Sequence, residues 1–398
     1  MASDAPFLIA GGGVGGLAAA LGLARAGVKV RVLERARAFG ELGAGVQLAP
    51  NAFHALDRLG VGEAARRTAV FVDGLRLMDA LTAEEIAQIP LDGPFRERFG
   101  APYAVVHRAE LHRVLLQACE ASPHVQLSVE SEVEGYTQDA DGVTARLTSG
   151  EAVRGAALVG ADGLWSRVRA QLVGDGPPRV SGHSTYRSVI PLELMPEDLR
   201  WNAATLWAGP RCHLVHYPLS GWKSFNLVVT CHNEAAAPVA GQPVSLETVE
   251  AGFAHVHPRA REIIRRGVDW KLWVLCDRDP IERWTDGRAA LLGDAAHPML
   301  QYFAQGACMA LEDAVELASA VSSQPHDVAA GLYAYQERRV LRTARVQLQS
   351  REIGAHIYHP EGAHAKLRNA VMRSKSPQDW YDALSWLYRG DDLSRVGG

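Results

Sequence analysis

Three corners of the sequence set glycine beside an acid, and each could hold a phosphate or a sugar. Gly11, Gly13 and Gly16 form a Gly-x-Gly-x-x-Gly run, and Glu34 follows 18 residues after Gly16. In such a run the first glycine permits a tight turn, the second lets backbone approach a pyrophosphate, and the third allows a helix to pack closely on a strand. The N-terminus of that helix favours negative charge, and a carboxylate at Glu34 can accept hydrogen bonds from ribose hydroxyls. The spacing therefore predicts a dinucleotide site without deciding between NAD and FAD. Two further corners, Val159-Gly160-Ala161-Asp162-Gly163 and Leu292-Gly293-Asp294-Ala295-Ala296-His297-Pro298, each place an aspartate where an apolar run ends in glycine. Doubly wound folds bind ligands at that end of their strands. The competing reading is a pair of aspartates that merely cap turns.

These corners require particular elements behind them. The pattern predicts a strand over Phe7 to Ala10, a turn over Gly11 to Gly16, a small-residue helix over Leu17 to Arg25 and a strand over Val28 to Leu33, which together make a βαβ unit. Gly40 to Asn51 reads as a Gly-rich loop, Ala52 to Leu59 as a helix, and Arg108 to Cys119 as a helix with Leu111, Val114 and Leu115 on one face. From Val125 to Leu158 the text is strand-like, with turns at Asp139 to Gly142 and Ser149 to Gly150. Between Val180 and Trp284 alternating strands such as Thr205 to Trp207, Cys212 to Tyr217 and Ser224 to Cys231 are separated by Gly-Pro and Ser-Gly turns. Arg288 to Leu292 then returns as a buried strand, and helices dominate from Ala304 through Glu352. The first domain is thus predicted to be interrupted by an insertion.

The Gly-x-Gly-x-x-Gly, Asp-Gly and Gly-Asp corners, in this order and at these separations, resemble the three fingerprints of the single-component aromatic hydroxylases of the para-hydroxybenzoate hydroxylase type, over essentially the whole chain. The resemblance implies an α/β fold: a Rossmann-like FAD-binding domain from residues 1–72, 100–179 and 285–350, an inserted sheet-rich substrate domain from 73–99 and 180–284, and a helical segment over 351–398. It implies FAD as the held cofactor and NADH as a transient cosubstrate, the latter in keeping with a single Rossmann fingerprint. Asp294 would meet the ribityl chain and Asp162 would serve FAD and the nicotinamide. Arg35, Gln47, Arg108, Gly306 and Ala307 would be further FAD contacts. His297-Pro298 would belong to the FAD loop, with Glu312-Asp313 tying that loop down. Tyr186-Arg187 resembles the entry to the substrate domain, where Arg187 is expected to make a structural salt bridge.

On the substrate side, the strand Arg211 to Pro218 places His213, Val215 and Tyr217 on one face and Leu214 and His216 on the other by its two-residue period. Gln301 stands where many relatives carry proline. The combination of His213, Tyr217 and Gln301 looks like the gentisate-forming branch of the family, which hydroxylates a phenolic benzoate para to its hydroxyl and retains the carboxylate. A reduced flavin that has taken up dioxygen delivers an electrophilic oxygen, so the ring must be made electron-rich by loss of its phenol proton, whose pKa in water is about 10. An imidazole with an ordinary pKa of about 6.5 is a base at neutral pH, which makes His213 the candidate; as one of 15 histidines it could instead be structural. Tyr217 either hydrogen-bonds the substrate or packs in the sheet, and Gln301 either orients the substrate or caps the next helix. Asp73 and Tyr103 are weaker candidates for the pocket wall and are expected to serve structure.

Composition closes off other classes. With 41 Lys plus Arg against 45 Asp plus Glu and no basic run, the net charge of -4 gives nucleic acid no footprint. The uncharged stretch from Ala5 to Ala24 is about as long as a membrane span, but six glycines lie within it, and it reads better as strand, turn and helix. Five cysteines with no C-x-x-C pair indicate neither disulfides nor zinc and point to a reducing cytoplasm. The expected partners are a small aromatic substrate, O2 and NADH. A flavin reductase or dehydrogenase without oxygen insertion, an oxidative decarboxylase of the salicylate hydroxylase kind, and a flavin-binding redox sensor remain alternatives, because one FAD fold hosts several chemistries. Within Gly331 to Glu352, Leu332, Tyr335 and Leu341 alternate with Arg338, Arg339, Arg342 and Arg345, which reads as a solvated face. Relatives commonly dimerise, so a homodimer through this surface stays open.

Overall fold

A computed structural model describes residues 5–40 and 45–389. Its first sheet has six strands in the order Thr285–Asp286, Ala289–Leu291, Ala157–Gly160, Phe7–Ala10, Val30–Leu33 and Val125–Ser128, parallel except at the Thr285–Asp286 edge. The central strands Phe7–Ala10 and Ala157–Gly160 are buried along their whole length, which explains why both read as unbroken apolar runs rather than as alternation. Chain direction fans out from this pair: Phe7–Ala10 continues to Val30–Leu33 on one side, while Ala157–Gly160 lies on the other. All three glycine-acid corners leave the same end of this sheet, with Ala10 opposite Gly160 and Gly160 opposite Leu291. The helix Val14–Arg25 packs behind them against the helix Gly306–Ser323.

The predicted Gly40 to Asn51 loop needs correction. Residues 41–44 lie outside the described residues, but Gly45–Leu48 is a strand, antiparallel to Ala104–His107, and the next helix starts at Pro50. Its pairing partner is about sixty residues away in sequence, so no local pattern could announce it. The second βαβ strand begins at Val30 rather than Val28.

The larger sheet has eight strands in the order Ala240–Pro243, Val268–Asp277, Arg179–Pro191, Ser224–Ala235, Cys212–Leu219, Ala203–Gly209, Gly74–Asp79 and Glu85–Pro90. Its register builds a grid: Thr185 and His213 both pair with Thr230, Arg187 and Val215 both pair with Val228, and Tyr217 pairs with Asn226. Because side chains alternate, Thr185, Arg187, His213, Val215 and Tyr217 share one face. Leu214, Leu227 and Val229 face the other way, into a core with Trp207, Phe253 and Ile263.

The helix Val328–Ile353 corrects the expectation of a solvated face. Leu341 is exposed, but Leu332 and Tyr335 are fully buried and Arg339 and Arg342 are only 2% and 3% exposed. Both arginines reach the Glu312-Asp313 pair of the preceding helix: Arg339 Nε donates to Asp313 Oδ1 at 2.7 Å and Arg342 Nη2 to Glu312 Oε1 at 2.8 Å. Buried guanidinium groups are tolerated when paired in this way, and the acids that pair them are too distant in sequence for helical periodicity to reveal. After a π-helical turn over Gly354–Tyr358, the helices Gly362–Arg373 and Pro377–Tyr388 follow. The last of these docks Tyr381 and Tyr388 edge-on to Phe95 and Phe99. Residues 390–398 of the expected C-terminal segment are outside the described residues. Among the described residues, no helix is long and apolar enough to cross a membrane.

Candidate active site

The anticipated catalytic residues and, except for Gly16, the anticipated cofactor contacts line one cavity of about 570 Å³ between the ends of the six-stranded sheet and the face of the larger one. Gly16 stands just behind the wall, where a Cβ would come within 2.0 Å of the Gly11 carbonyl oxygen. Gly11 has φ +102°, and a Cβ there would come within 2.5 Å of the Ala161 carbonyl oxygen. The Gly-x-Gly-x-x-Gly turn therefore touches the Asp-Gly corner directly; a side chain at Gly11 would push the two apart, and one at Gly16 would force the turn away from its own helix.

Two helices begin at this wall, Val14–Arg25 and Gly306–Ser323. Neither has a side-chain cap or an acidic residue in its first turn. Their first N–H groups are thus left for an anion or another acceptor. The residues present fit FAD: a glycine-walled cleft, two open helix N-termini, and the carboxylates of Glu34 and Asp294 on the lining. Glu34 also shapes the turn, its Oε2 accepting from Gly12 N at 2.7 Å and its Oε1 from Ala36 N at 2.8 Å. Asp162 is engaged differently. Its carboxylate accepts from the Ser166 hydroxyl at 2.5 Å and from the backbone N–H groups of Arg167 and Val168. Burial raises its pKa, partly offset by these bonds. Asp162 caps the following helix and also lines the cavity. Asp294 is exposed toward the cavity. Arg35, Gln47, Arg108, Gly306 and Ala307 complete this half of the lining, and Gln47 is oriented by the Tyr103 hydroxyl, which donates to its Oε1 at 2.7 Å. Tyr103 is buried and Asp73 is exposed away from the cavity.

The Gly-Asp corner is held from behind by Asp313, whose Oδ2 accepts from Gly293 N at 3.0 Å and lies 2.5 Å from His297 Nε2. Asp313 is fully buried, and the His297 and Arg339 side chains with the Gly293 N–H outweigh its desolvation and hold its pKa down at about 2.

On the opposite wall His213 and Tyr217 are 1% and 3% exposed. Burial, with the imidazoles of His359 and His183 nearby, pushes His213 well below its ordinary pKa, so it is neutral at neutral pH but a weaker base than composition alone suggested. Gln301 does not cap the helix that follows. Its Nε2 donates to Thr230 Oγ1 at 3.2 Å, and its Oε1 accepts from Arg187 Nη2 at 3.0 Å. Arg187 is the larger correction. Among the described residues it makes no ion pair with a carboxylate, its buried Nε has no hydrogen-bond partner, and its head lies over the Trp273 ring at 5.5 Å. Desolvation lowers its pKa, and it lines the cavity beside Val215 and Tyr217. The expected salt bridge was inferred from the residue type, which cannot say whether an acid will stand opposite. His359 and Tyr358 were also missed: Tyr358 lines the cavity and His359 Nε2 lies 2.7 Å from His213 Nδ1. Both come from beyond residue 350, where sequence offered only a helical tail.

Comparison with known proteins agrees with this geometry. Residues 4–350 match the family described as FAD binding domain. The chain is 55% identical over 389 residues to 3-hydroxybenzoate 6-hydroxylase 1 of Aquipseudomonas alcaligenes, covering 98% of each chain. It is 47% identical over 386 residues to 3-hydroxybenzoate 6-hydroxylase of Polaromonas naphthalenivorans, covering 97% of this chain and 96% of that one. Among solved structures, Klebsiella pneumoniae HpxO complexed with FAD and uric acid superposes with a TM-score of 0.82 at 26% identity, covering 96% of each chain. The chain belongs to the FAD binding domain family and, within it, to the single-component FAD-dependent aromatic hydroxylases.

Proposed function

We propose that this protein hydroxylates 3-hydroxybenzoate para to its hydroxyl group, giving 2,5-dihydroxybenzoate, with O2 and NADH as cosubstrates. The observation that carries this reading is the pairing, on one sheet face of one cavity, of a neutral imidazole at His213 with a guanidinium at Arg187 that no carboxylate among the described residues satisfies. A phenol and a carboxylate are the complements of those two groups. The names of the relatives over nearly the whole chain length support the same substrate.

Gly11, Gly13, Glu34, Arg35, Gln47, Arg108, Asp294, Gly306 and Ala307 would hold FAD, which when bound would supply the redox chemistry linking NADH to dioxygen. The remaining work falls to the chain. Arg187 fixes the substrate carboxylate by a charge-assisted hydrogen bond. His213 accepts the phenol proton, Tyr217 hydrogen-bonds the same ring, and Gln301 keeps Arg187 aimed through the bond to its Oε1. His213 and Tyr217 are buried, and low exposure to water strengthens electrostatic interactions at such groups. We read residues 73–99 and 180–284 as the substrate unit and the rest of 1–350 as the FAD unit, working in a reducing cytoplasm that suits five free thiols.

The test is His213→Ala in the FAD-loaded enzyme. Flavin content and NADH-driven reduction should persist, while product formed per NADH consumed should fall by at least about a hundredfold, the range of acid-base residues. Unchanged coupling would remove His213 from the chemistry. Chromatography of the product separates the readings: 2,5-dihydroxybenzoate supports this one, loss of carbon dioxide indicates oxidative decarboxylation, and hydrogen peroxide alone makes the benzoate an effector.

A further inference from the structure

His213 does not act on the cavity in isolation. Besides its 2.7 Å approach to His359, its ring lies 5.0 Å from the His359 ring. His359 ends the π-helical turn Gly354–Tyr358, a type of interruption found at functional sites. His213 is enclosed, whereas His359 is half-buried. Beyond it stands His183, also half-buried, edge-on at 5.2 Å from His359 and 4.6 Å from His232. The Tyr302 hydroxyl lies 2.5 Å from His183 Nδ1. Imidazoles thus run from the cavity wall to partly exposed positions without passing through the cavity.

The tautomers of two neutral imidazoles in hydrogen-bond contact are coupled. For Nε2 of His213 to accept a proton from the cavity, its Nδ1 must carry the hydrogen and donate it to His359 Nε2, which places the hydrogen of His359 on Nδ1. A phenol pKa of about 10 against about 6.5 for an ordinary imidazole leaves even an exposed His213 holding the proton in only about one case in three thousand, and burial makes this worse. An imidazole that hands a proton onward escapes that limit, because the final acceptor is then water at the pH of the solution.

We infer that His359 is a relay residue acting through His213, exporting the substrate's phenol proton to solvent along a path separate from the cavity mouth. The shift balances. The phenol O–H breaks as His213 Nε2–H forms, His213 Nδ1–H breaks as His359 Nε2–H forms, and His359 Nδ1–H breaks as water takes the proton. Neither ring keeps a charge, which suits a pair whose basicity burial holds down, that of His359 to about 3. The reverse shift restores both tautomers when the product's phenol is reprotonated. The groups facing the pair are His183, His232, Tyr302 and Tyr358, with Arg211 acting on His183. No carboxylate is among the groups that shift either imidazole.

The inference rests on His213 as the base, and the experiment keeps the two apart. His359→Gln retains a hydrogen-bonding group but cannot pass a proton on. In the FAD-loaded enzyme with 3-hydroxybenzoate, flavin content, substrate affinity and the rate of anaerobic reduction by NADH should stay within about twofold of the unmodified protein. Product formation in a single turnover with O2 should fall by about tenfold to a hundredfold near neutral pH, and the deficit should narrow toward about pH 9 as solvent base replaces the relay. His359→Ala should regain rate when imidazole is added. An unchanged rate and pH profile in His359→Gln overturns the inference, as does an equal loss of substrate binding and reduction. Should the variants not fold, the unmodified enzyme decides in mixtures of light and heavy water: a curved dependence of hydroxylation rate on deuterium content supports protons moving together, and a straight line overturns it. Normal hydroxylation by His213→Ala would bring down base and relay together, whereas a crippled His213→Ala beside a normal His359→Gln would remove the relay alone.

Discussion

Replacing Arg187 by methionine separates a residue that supports the fold from one that supports the ligand. Among the described residues the Nε of the desolvated Arg187 guanidinium has no partner, and its one hydrogen bond to a polar side chain is the donation from Nη2 to Gln301 Oε1 at 3.0 Å. Losing that bond costs about 1 kcal/mol, and removing a poorly solvated charge gives back energy of similar size. The stability of Arg187→Met should therefore stay within about 1 kcal/mol of the parent. A charge-assisted hydrogen bond to a substrate carboxylate, by contrast, contributes about 1.5–3 kcal/mol, which at 1.4 kcal/mol per tenfold is a rise of about 10- to 150-fold in Kd. Flavin fluorescence during titration with 3-hydroxybenzoate reads this change, and 3-methylphenol, which lacks the carboxylate, serves as the control whose affinity should hardly move. The reasoning fails if both ligands weaken equally or if 3-hydroxybenzoate affinity is retained. It fails equally if urea unfolding reveals a loss of about 3 kcal/mol or more, the signature of a broken buried ion pair.

Asp294→Ala should purify with depleted flavin, read from its visible absorbance, and a fully loaded active protein would contradict its place in the cofactor site. Asp313→Asn leaves Arg339 facing one carboxylate fewer in a fully buried site and should cost about 3–5 kcal/mol in urea unfolding; a loss below about 1 kcal/mol would refute that account. The folded-state pKa values of Asp313 and Glu312 are held down at about 2 by their arginine and histidine neighbours. Their stabilisation is therefore complete above the unfolded values near 4 and is lost as pH falls from about 4 toward about 2, a dependence that acid titration of Asp313→Asn should visibly reduce. Gly45→Ala would set a Cβ 2.4 Å from Cε2 of the buried Tyr217 ring, so the ring must move: substrate affinity should drop by about tenfold with flavin content retained, and unaltered affinity would show that Tyr217 does not meet the substrate.

The βαβ unit and the glycine-acid corners were legible in the chain because their causes are local. A turn that needs φ +102° at Gly11 needs glycine there whatever the rest of the protein does, and a fully buried parallel strand must be apolar throughout. The two-residue period of a strand likewise sets His213 and Tyr217 on one face. Element ends differ by a few residues, and Gly45–Leu48 carries no local sign of a strand because its hydrogen-bond partners lie far along the chain.

Pairing across long separations was beyond such reading. Whether Arg187 meets an acid, whether Arg339 and Arg342 are solvated or buried, and whether His213 has an imidazole behind it depend on which elements pack together, and side-chain chemistry does not encode its own neighbours. His359 joins His213 across 146 residues, and Arg342 reaches Glu312 across 30. Backbone geometry and burial leave their mark in adjacent residues, and that much this sequence declared; the desolvation and charge that tune each titratable group are sums over the whole packed molecule, and only the folded chain assembles them.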